Sequence, residues 1–189
     1  ALGWGTESIT PVDKIVGPGN IYVTTAKKKL FGYVGIDMLA GPSEILIVAD
    51  NKNNSDWIAA DLLSQAEHDI NSRSTLITND SLFAKKGLKS IDSILKILPR
   101  SKIASKSWTK NGGVIIVKNF SNVEDIINKL SPEHLELAID KPDNFFNKIK
   151  NAGSVFLGRY TPEAIGDYVA GPNHVLPTGR TARFSSGLG

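Results

Sequence analysis

The sequence predicts an α/β fold, a mostly parallel sheet flanked by helices on both faces. Three observations lead there. The chain has 189 residues, which suits one domain of ordinary size or one domain plus part of another. Hydrophobic residues make up 41% and charged residues 22%, a globular composition. Most directly, short β-rich apolar runs alternate with stretches of helical period, and β-α-β-α alternation builds parallel sheets covered on both sides.

The elements follow in chain order. A helix is expected over 20–31, after the turn Gly17-Pro18-Gly19-Asn20. Apolar runs predict strands over 45–49, 74–78, 114–117, 135–139 and 154–157. Helices are expected between them over 55–69, 81–98, 122–130 and 143–151, with a last one over 162–169. Ser121-Asn122-Val123-Glu124 reads as a capping box. Thr161-Pro162-Glu163 reads as N-cap, N1 and N2 of the last helix. Residues 101–111 are polar, hold Trp108 alone and read as a surface connection. A composition shift at Gly41-Pro42 marks a boundary between units 1–42 and 43–189. Open parallel sheets bind ligands outside the carboxyl ends of their strands, so functional residues are expected in strand-to-helix loops or first helical turns.

Composition removes several chemistries. With no cysteine, a disulfide scaffold, a thiolate metal site and a cysteine nucleophile are excluded, and any metal must be held by His, carboxylate or amide oxygen. Net charge is only +3, from 22 basic and 19 acidic residues, and the lysines fall on helix faces as solvated surface rather than as a nucleic-acid patch. No apolar run approaches the ~20 residues of a membrane span. No signal peptide is visible. The chain opens at Ala1 and stops after Gly189 without a closing element, so it is expected to be a piece of a longer protein.

Three Gly-Pro turns stand out: Gly17-Pro18-Gly19-Asn20, Ala40-Gly41-Pro42-Ser43 and Ala170-Gly171-Pro172-Asn173. Each lets backbone approach a ligand and presents a small polar side chain, although each also serves as plain turn punctuation. The first precedes a helix, so its amides are candidates to face an anion such as a pyrophosphate. No Gly-x-Gly-x-x-Gly or Walker loop is present, so a standard dinucleotide fold is not supported.

The helix over 55–69 carries Ala59, Leu62, Leu63 and Ala66 on one face and Asp61, Gln65 and His68 nearly opposite. Gln65 and His68 are one turn apart, so an amide oxygen and an imidazole can converge on a zinc-like ion, and the pattern equally fits a solvated face ending in a histidine. Ser131-Pro132-Glu133-His134 places a carboxylate beside an imidazole at a helix-to-strand junction, a candidate general-base pair or a punctuated turn. In Gly166-Asp167-Tyr168, Asp167 is a candidate carboxylate ligand or an ordinary surface aspartate. All three histidines, His68, His134 and His174, fall in such motifs. That coincidence favours an active site over any one motif alone.

Together these strings resemble the histidinol dehydrogenase family. The matching segments are Val12-Asp13-Lys14-Ile15-Val16-Gly17-Pro18-Gly19-Asn20, Ile36-Asp37-Met38-Leu39-Ala40-Gly41-Pro42-Ser43-Glu44, Leu63-Ser64-Gln65-Ala66-Glu67-His68, Pro132-Glu133-His134-Leu135 and Gly153-Ser154-Val155-Phe156-Leu157-Gly158. The stretch from Gly166-Asp167-Tyr168 to Asn173-His174-Val175-Leu176-Pro177-Thr178 completes them, in the family's order. Residues 79–112 carry little of the resemblance.

The resemblance implies an incomplete Rossmann-like fold of the aldehyde-dehydrogenase-like, histidinol-dehydrogenase type. In it, 1–42 is the end of the NAD-binding domain and 43–189 the substrate- and zinc-binding domain, truncated at its carboxyl end. It implies oxidation of L-histidinol to L-histidine through L-histidinal with NAD and one Zn2+ per subunit, in a cytoplasmic homodimer, or a plastid one if the source is a plant. By resemblance, Gln65, His68 and Asp167 are zinc ligands, and Glu133 and His134 are the catalytic acid/base residues. Ser43, Gln65, His68, His134 and Asp167 contact substrate, and Asn20 contacts NAD. The family's fourth zinc ligand, a His, and a further substrate-binding Glu lie in a carboxy-terminal region that reaches over from the partner subunit. Neither is in this chain, so the chain alone is expected to be inactive. The competing readings are a non-catalytic imidazole-binding module derived from the enzyme, and a zinc hydrolase, which lacks its His-Glu-x-x-His motif.

Overall fold

A computed structural model describes residues 1–171, 173 and 175–186. Its centre is a five-stranded, wholly parallel sheet in the order β5-β4-β3-β6-β7. The strands are β3 (Glu44–Ala49), β4 (Arg73–Thr78), β5 (Gly113–Ile116), β6 (His134–Ala138) and β7 (Ser154–Leu157). Ahead of them lies a small unit: β1 (Lys14–Ile15), helix α1 (Ile21–Leu30) and β2 (Gly35–Ile36), with Lys14 pairing in parallel with Gly35 and Ile15 with Ile36. The remaining helices are α2 (Ser55–Ala66), α3 (Ser81–Leu95), α4 (Ser101–Asn111), α5 (Val123–Leu130) and α6 (Asp143–Phe146).

Every residue of β3 is buried, as a central parallel strand requires. Its side chains alternate between two cores. Ile45, Ile47 and Ala49 pack with Ile58, Ala59, Leu62, Leu63 and Ala66 of α2, and with Phe83, Ile91 and Ala104 of α3 and α4. Leu46 and Val48 face the other way, against Val123 and Ile127 of α5 and Leu135 and Leu137 of β6. Helices therefore cover both faces, and the α2 core face is the one the 3.6-residue period predicts. Asn54 caps α2, its Oδ1 accepting from the Asp56 amide at 2.7 Å. Asn54→Ala should cost about 1 kcal/mol, read as a lower urea midpoint with unchanged slope.

Several expectations are corrected. Residues 101–111 are not a connection but helix α4. Its inner face is made of small residues, Ala104 and Ser107, both almost fully buried, with Trp108 packed at the edge of the α2 core. Ser107 Oγ donates to the Ser72 carbonyl at 3.0 Å, so a polar residue is interior and apolar periodicity could not report it. The helix expected over 143–151 shrinks to α6. The capping box at Ser121 does not form: Asn122 takes a left-handed conformation (φ 64°) with no side-chain cap, and Glu124 instead pairs with Lys148 at 3.0 Å. Thr161 is no cap either. Its hydroxyl donates to the Leu157 carbonyl, and the following segment winds into a π-helix, Gly166–Ala170.

Among the described residues, no helix is long and apolar enough to cross a membrane. At the carboxyl ends of the strands, Arg159 clamps Asp50 with bonds of 2.5 and 2.7 Å and reaches Asp140 at 2.8 Å. Lys52 also binds Asp140. These ion pairs join the carboxyl ends of β3, β6 and β7, while a cavity of about 640 Å³ lies beside them at the ends of β3 and β4, lined by residues 51–55, Asp80, Leu82, Phe83 and Lys86.

Candidate active site

The candidate residues meet at the amino ends of the strands, opposite to the expected end. Ser43 precedes β3, Glu133 and His134 open β6, and Gln65 and His68 lie at the close of α2, just before β4. Chain direction explains the placement. α2 runs antiparallel to the strands it connects, so its last turn returns to their amino ends, with its carbonyl-rich, partially negative end there. A cation is favoured at that pole. The π-helix brings Asp167 to the same place, where a widened turn often marks a functional site.

One cavity of about 230 Å³ is lined by Ser43, Gln65, His68, Glu133, His134 and Asp167, together with Glu163. The segments 18–19, 40–41 and 175–176 also border it. An adjoining cleft of about 460 Å³ shares Ser43 and His68 and carries Asn20. The structure thus brings together the predicted metal and substrate residues, and sets Asn20 next door. His174 lies outside the described residues.

Around the Gly17 turn the anion reading loses donors. Asn20 Oδ1 accepts from the Tyr22 and Val23 amides at 3.0 and 3.3 Å, and the Gly17 amide donates to Asp37 Oδ2 at 2.8 Å. Lys27, buried, bridges Asp37 and the Gly17 carbonyl. The Gly17, Tyr22 and Val23 amides are thus taken up within the chain, and Asn20 stays exposed.

The polar stripe of α2 is only partly solvated: His68 is exposed, Asp61 half-buried and Gln65 buried. Gln65 is 2% exposed, and burial pushes the Asp61 carboxyl up to about 6. Asp61 stands near β6, where Glu136 occupies an interior position between Leu135 and Leu137. Glu136 is 2% exposed and its carboxyl is raised well above the ordinary value, by burial first and then by Asp61. Its Oε1 accepts from the Glu163 amide at 2.6 Å. The acceptor that Thr161 was expected to supply therefore comes from a neighbouring strand.

His134 Nδ1 lies 3.0 Å from the Glu44 carbonyl oxygen. A carbonyl only accepts, so in the neutral ring the proton sits on Nδ1 and the lone pair on Nε2. Nδ1 is also 3.6 Å from Glu133 Oε2, a longer contact that the carbonyl bond outranks. Nε2 is 3.5 Å from Glu163 Oε1. Glu133 is 6% exposed, and its Oε2 accepts from the Glu44 amide at 2.9 Å. Burial raises its carboxyl to about 8, with nearby Glu44, Glu163 and Asp167 adding to the rise. A carboxyl poised near neutrality beside an oriented imidazole suits proton transfer.

Sequence reasoning missed Glu163, read only as a helix start, and Glu136. A signal for Glu136 was present: a glutamate within the apolar run of a central strand is buried, and a buried charge needs a reason.

Among the described residues, no three His, Asp or Glu side chains converge into a metal cluster. The candidate set has only two residues of those types, His68 and Asp167, and its third donor is an amide. Gln65 Nε2 donates to Glu163 Oε2 at 2.7 Å, which leaves the amide oxygen as the ligating end. Amide oxygen, imidazole and carboxylate suit a borderline divalent ion such as zinc, so the residues fit.

The histidinol dehydrogenase family model matches residues 1–189. A histidinol dehydrogenase of Trichormus variabilis is 60% identical over 188 residues, covering 100% of this chain and 44% of that protein. The crystal structure of histidinol dehydrogenase from Elizabethkingia anophelis superposes with a TM-score of 0.93 at 45% identity, covering 98% of this chain and 43% of that one. An acetylating aldehyde dehydrogenase from Geobacillus thermoglucosidasius shares the fold at a TM-score of 0.54 and 12% identity, over 89% of this chain and 51% of its own. The chain spans less than half the length of the curated relatives it matches. With the family model matched from end to end and an amino-end cavity holding Gln65, His68, Glu133, His134 and Asp167, the chain belongs to the histidinol dehydrogenase family.

Proposed function

We propose that the protein carrying this chain oxidises L-histidinol to L-histidine through the aldehyde, with two hydride transfers to NAD+ and a zinc ion held in part by Gln65, His68 and Asp167. The observation that carries the proposal is the Glu133–His134 pair, an oriented imidazole and a carboxyl raised to about 8 in the cavity that holds those donors. A module that only bound imidazole would gain nothing from a buried carboxyl poised near neutrality, so catalysis is favoured over binding alone.

Each side chain has a task. Ser43 offers a hydroxyl at the cavity wall, and Asn20 lies in the adjoining cleft, the candidate approach of the nicotinamide cofactor. His134 Nε2 takes the proton from the substrate hydroxyl as hydride leaves the carbinol carbon. The Nδ1–H bond to the Glu44 carbonyl holds the ring, and Glu163 stands ready to stabilise the imidazolium. In the second oxidation Glu133, as carboxylate, removes a proton from the water that adds to the aldehyde. When bound, zinc supplies positive charge that fixes the substrate's nitrogen groups and favours the ionised hydroxyl. A bound NAD+ would supply the hydride acceptor. Assembly as a homodimer in the cytoplasm, with a NAD-binding unit that includes 1–42, belongs to the same proposal.

The experiment uses the complete protein. Histidinol, NAD+ and zinc should yield histidine with two NADH per molecule oxidised, and chelator treatment followed by dialysis should remove the activity until zinc is restored. Absence of histidine under these conditions overturns the proposal.

A further inference from the structure

We propose that Glu163 is a positioning residue that sets the carboxamide of Gln65 for metal binding and couples it to the His134 ring; the inference rests on the metal-site reading above. Three contacts carry it. Glu163 Oε2 accepts from Gln65 Nε2 at 2.7 Å. Glu163 Oε1 lies 3.5 Å from His134 Nε2. Its backbone amide donates to Glu136 Oε1 at 2.6 Å. Glu163 is 4% exposed and Gln65 2%, so both side chains are largely withdrawn from bulk solvent.

The logic is that of an amide with two unlike ends. An unanchored glutamine can present either NH2, which binds no cation, or C=O, which does. A carboxylate has no hydrogen to give, so beside Glu163 only the NH2 end of Gln65 can face inward. The oxygen is then the end left for a metal without the cost of a flip. Groups that orient a ligand from behind typically change metal affinity 10–100-fold when removed. The buried Glu136 keeps Glu163 in place by capping its amide. That supplies a reason for an interior glutamate on a central strand. Through its second oxygen the same carboxylate faces His134, so one side chain registers the metal donor against the base.

The test is zinc affinity of the complete protein, by competition with a chromophoric chelator, together with the visible spectrum of the Co2+-loaded form. Glu163→Met keeps length and volume but accepts no hydrogen bond. It should weaken zinc 10–100-fold and change the Co2+ bands, with thermal unfolding reporting that the fold is kept. Glu163→Gln retains an acceptor oxygen but no longer dictates the orientation of Gln65. It should lose only a few-fold and recover the wild-type Co2+ spectrum in large part. Wild-type zinc affinity and an unchanged Co2+ spectrum in Glu163→Met overturn the inference. Should that variant not fold, wild-type affinity in Glu163→Gln does so. A wild-type protein that holds no zinc overturns the metal-site reading and this inference together.

Discussion

Glu133→Gln in the complete protein should slow oxidation of the aldehyde by ~10²–10⁴-fold while leaving oxidation of the alcohol far less affected. Only the second step needs an activated water. The glutamine keeps the shape of the side chain and an oxygen able to accept from the Glu44 amide, so the bond now 2.9 Å long can survive. What is lost is a group able to take a proton. Its carboxyl stands near 8 because it is buried, so at and above neutrality it alternates readily between acid and base. Separate steady-state rates from histidinol and from the aldehyde would check this. Equal losses in the two steps would remove the assigned role from Glu133 and pass the water-activating task to another group.

Glu133 should also make the metal-free protein less stable as pH rises. Its ordinary value is 4.5 and its folded value about 8, because burial disfavours the charged form. The sign follows from proton binding. Between those values the folded state holds a proton that the unfolded chain has lost. The contribution is therefore complete below about 4.5 and disappears as pH passes through 8. From pH 6 to pH 9 the loss should be roughly 2–3 kcal/mol. Raised carboxyls at Glu136 and Asp61 push the same way, so the quantity to measure is a difference. Urea unfolding with chelator present, at several pH values, should show wild type falling faster than Glu133→Gln by that amount. Parallel curves would mean that the carboxyl ionises in the folded state as easily as in water.

The structure also shows how indirect a capping arrangement can be. Thr161-Pro162-Glu163 carries every local sign of a helix start, yet Thr161 bonds backward to Leu157 and the amide of Glu163 is met by Glu136 from β6. The acceptor is distant in sequence, so no local rule could supply it. Ser121 fails as a cap for a related reason: the left-handed Asn122 turns the chain before the helix, out of reach of the pairing that the spacing promised.

What the sequence determined by itself is the alternation of elements. The strand from Ser154 to Leu157 is found with the expected bounds, and the core face of α2 is the one its period assigns, because apolar side chains at fixed spacing have only one way to leave water. The candidate residues were legible too, in that Gln65, His68, Glu133, His134 and Asp167, singled out by their motifs, line one cavity. Tertiary structure alone decided the rest. It placed the cavity at the amino ends of the strands, where the last turn of α2 meets the first residue of β6, and gathered Arg159, Asp50 and Asp140 into ion pairs at the opposite end. It turned Asp61 and Gln65 of α2 inward, where Glu136 and Glu163 stand in place of water, and left His68 exposed. It also docked 101–111 on the core as a helix through Ala104 and Ser107, whose small side chains pack by fit rather than by hydrophobicity. Periodicity reports which side chains avoid water. It does not report which buried polar groups will find each other, because that depends on strands and turns brought together from across the chain.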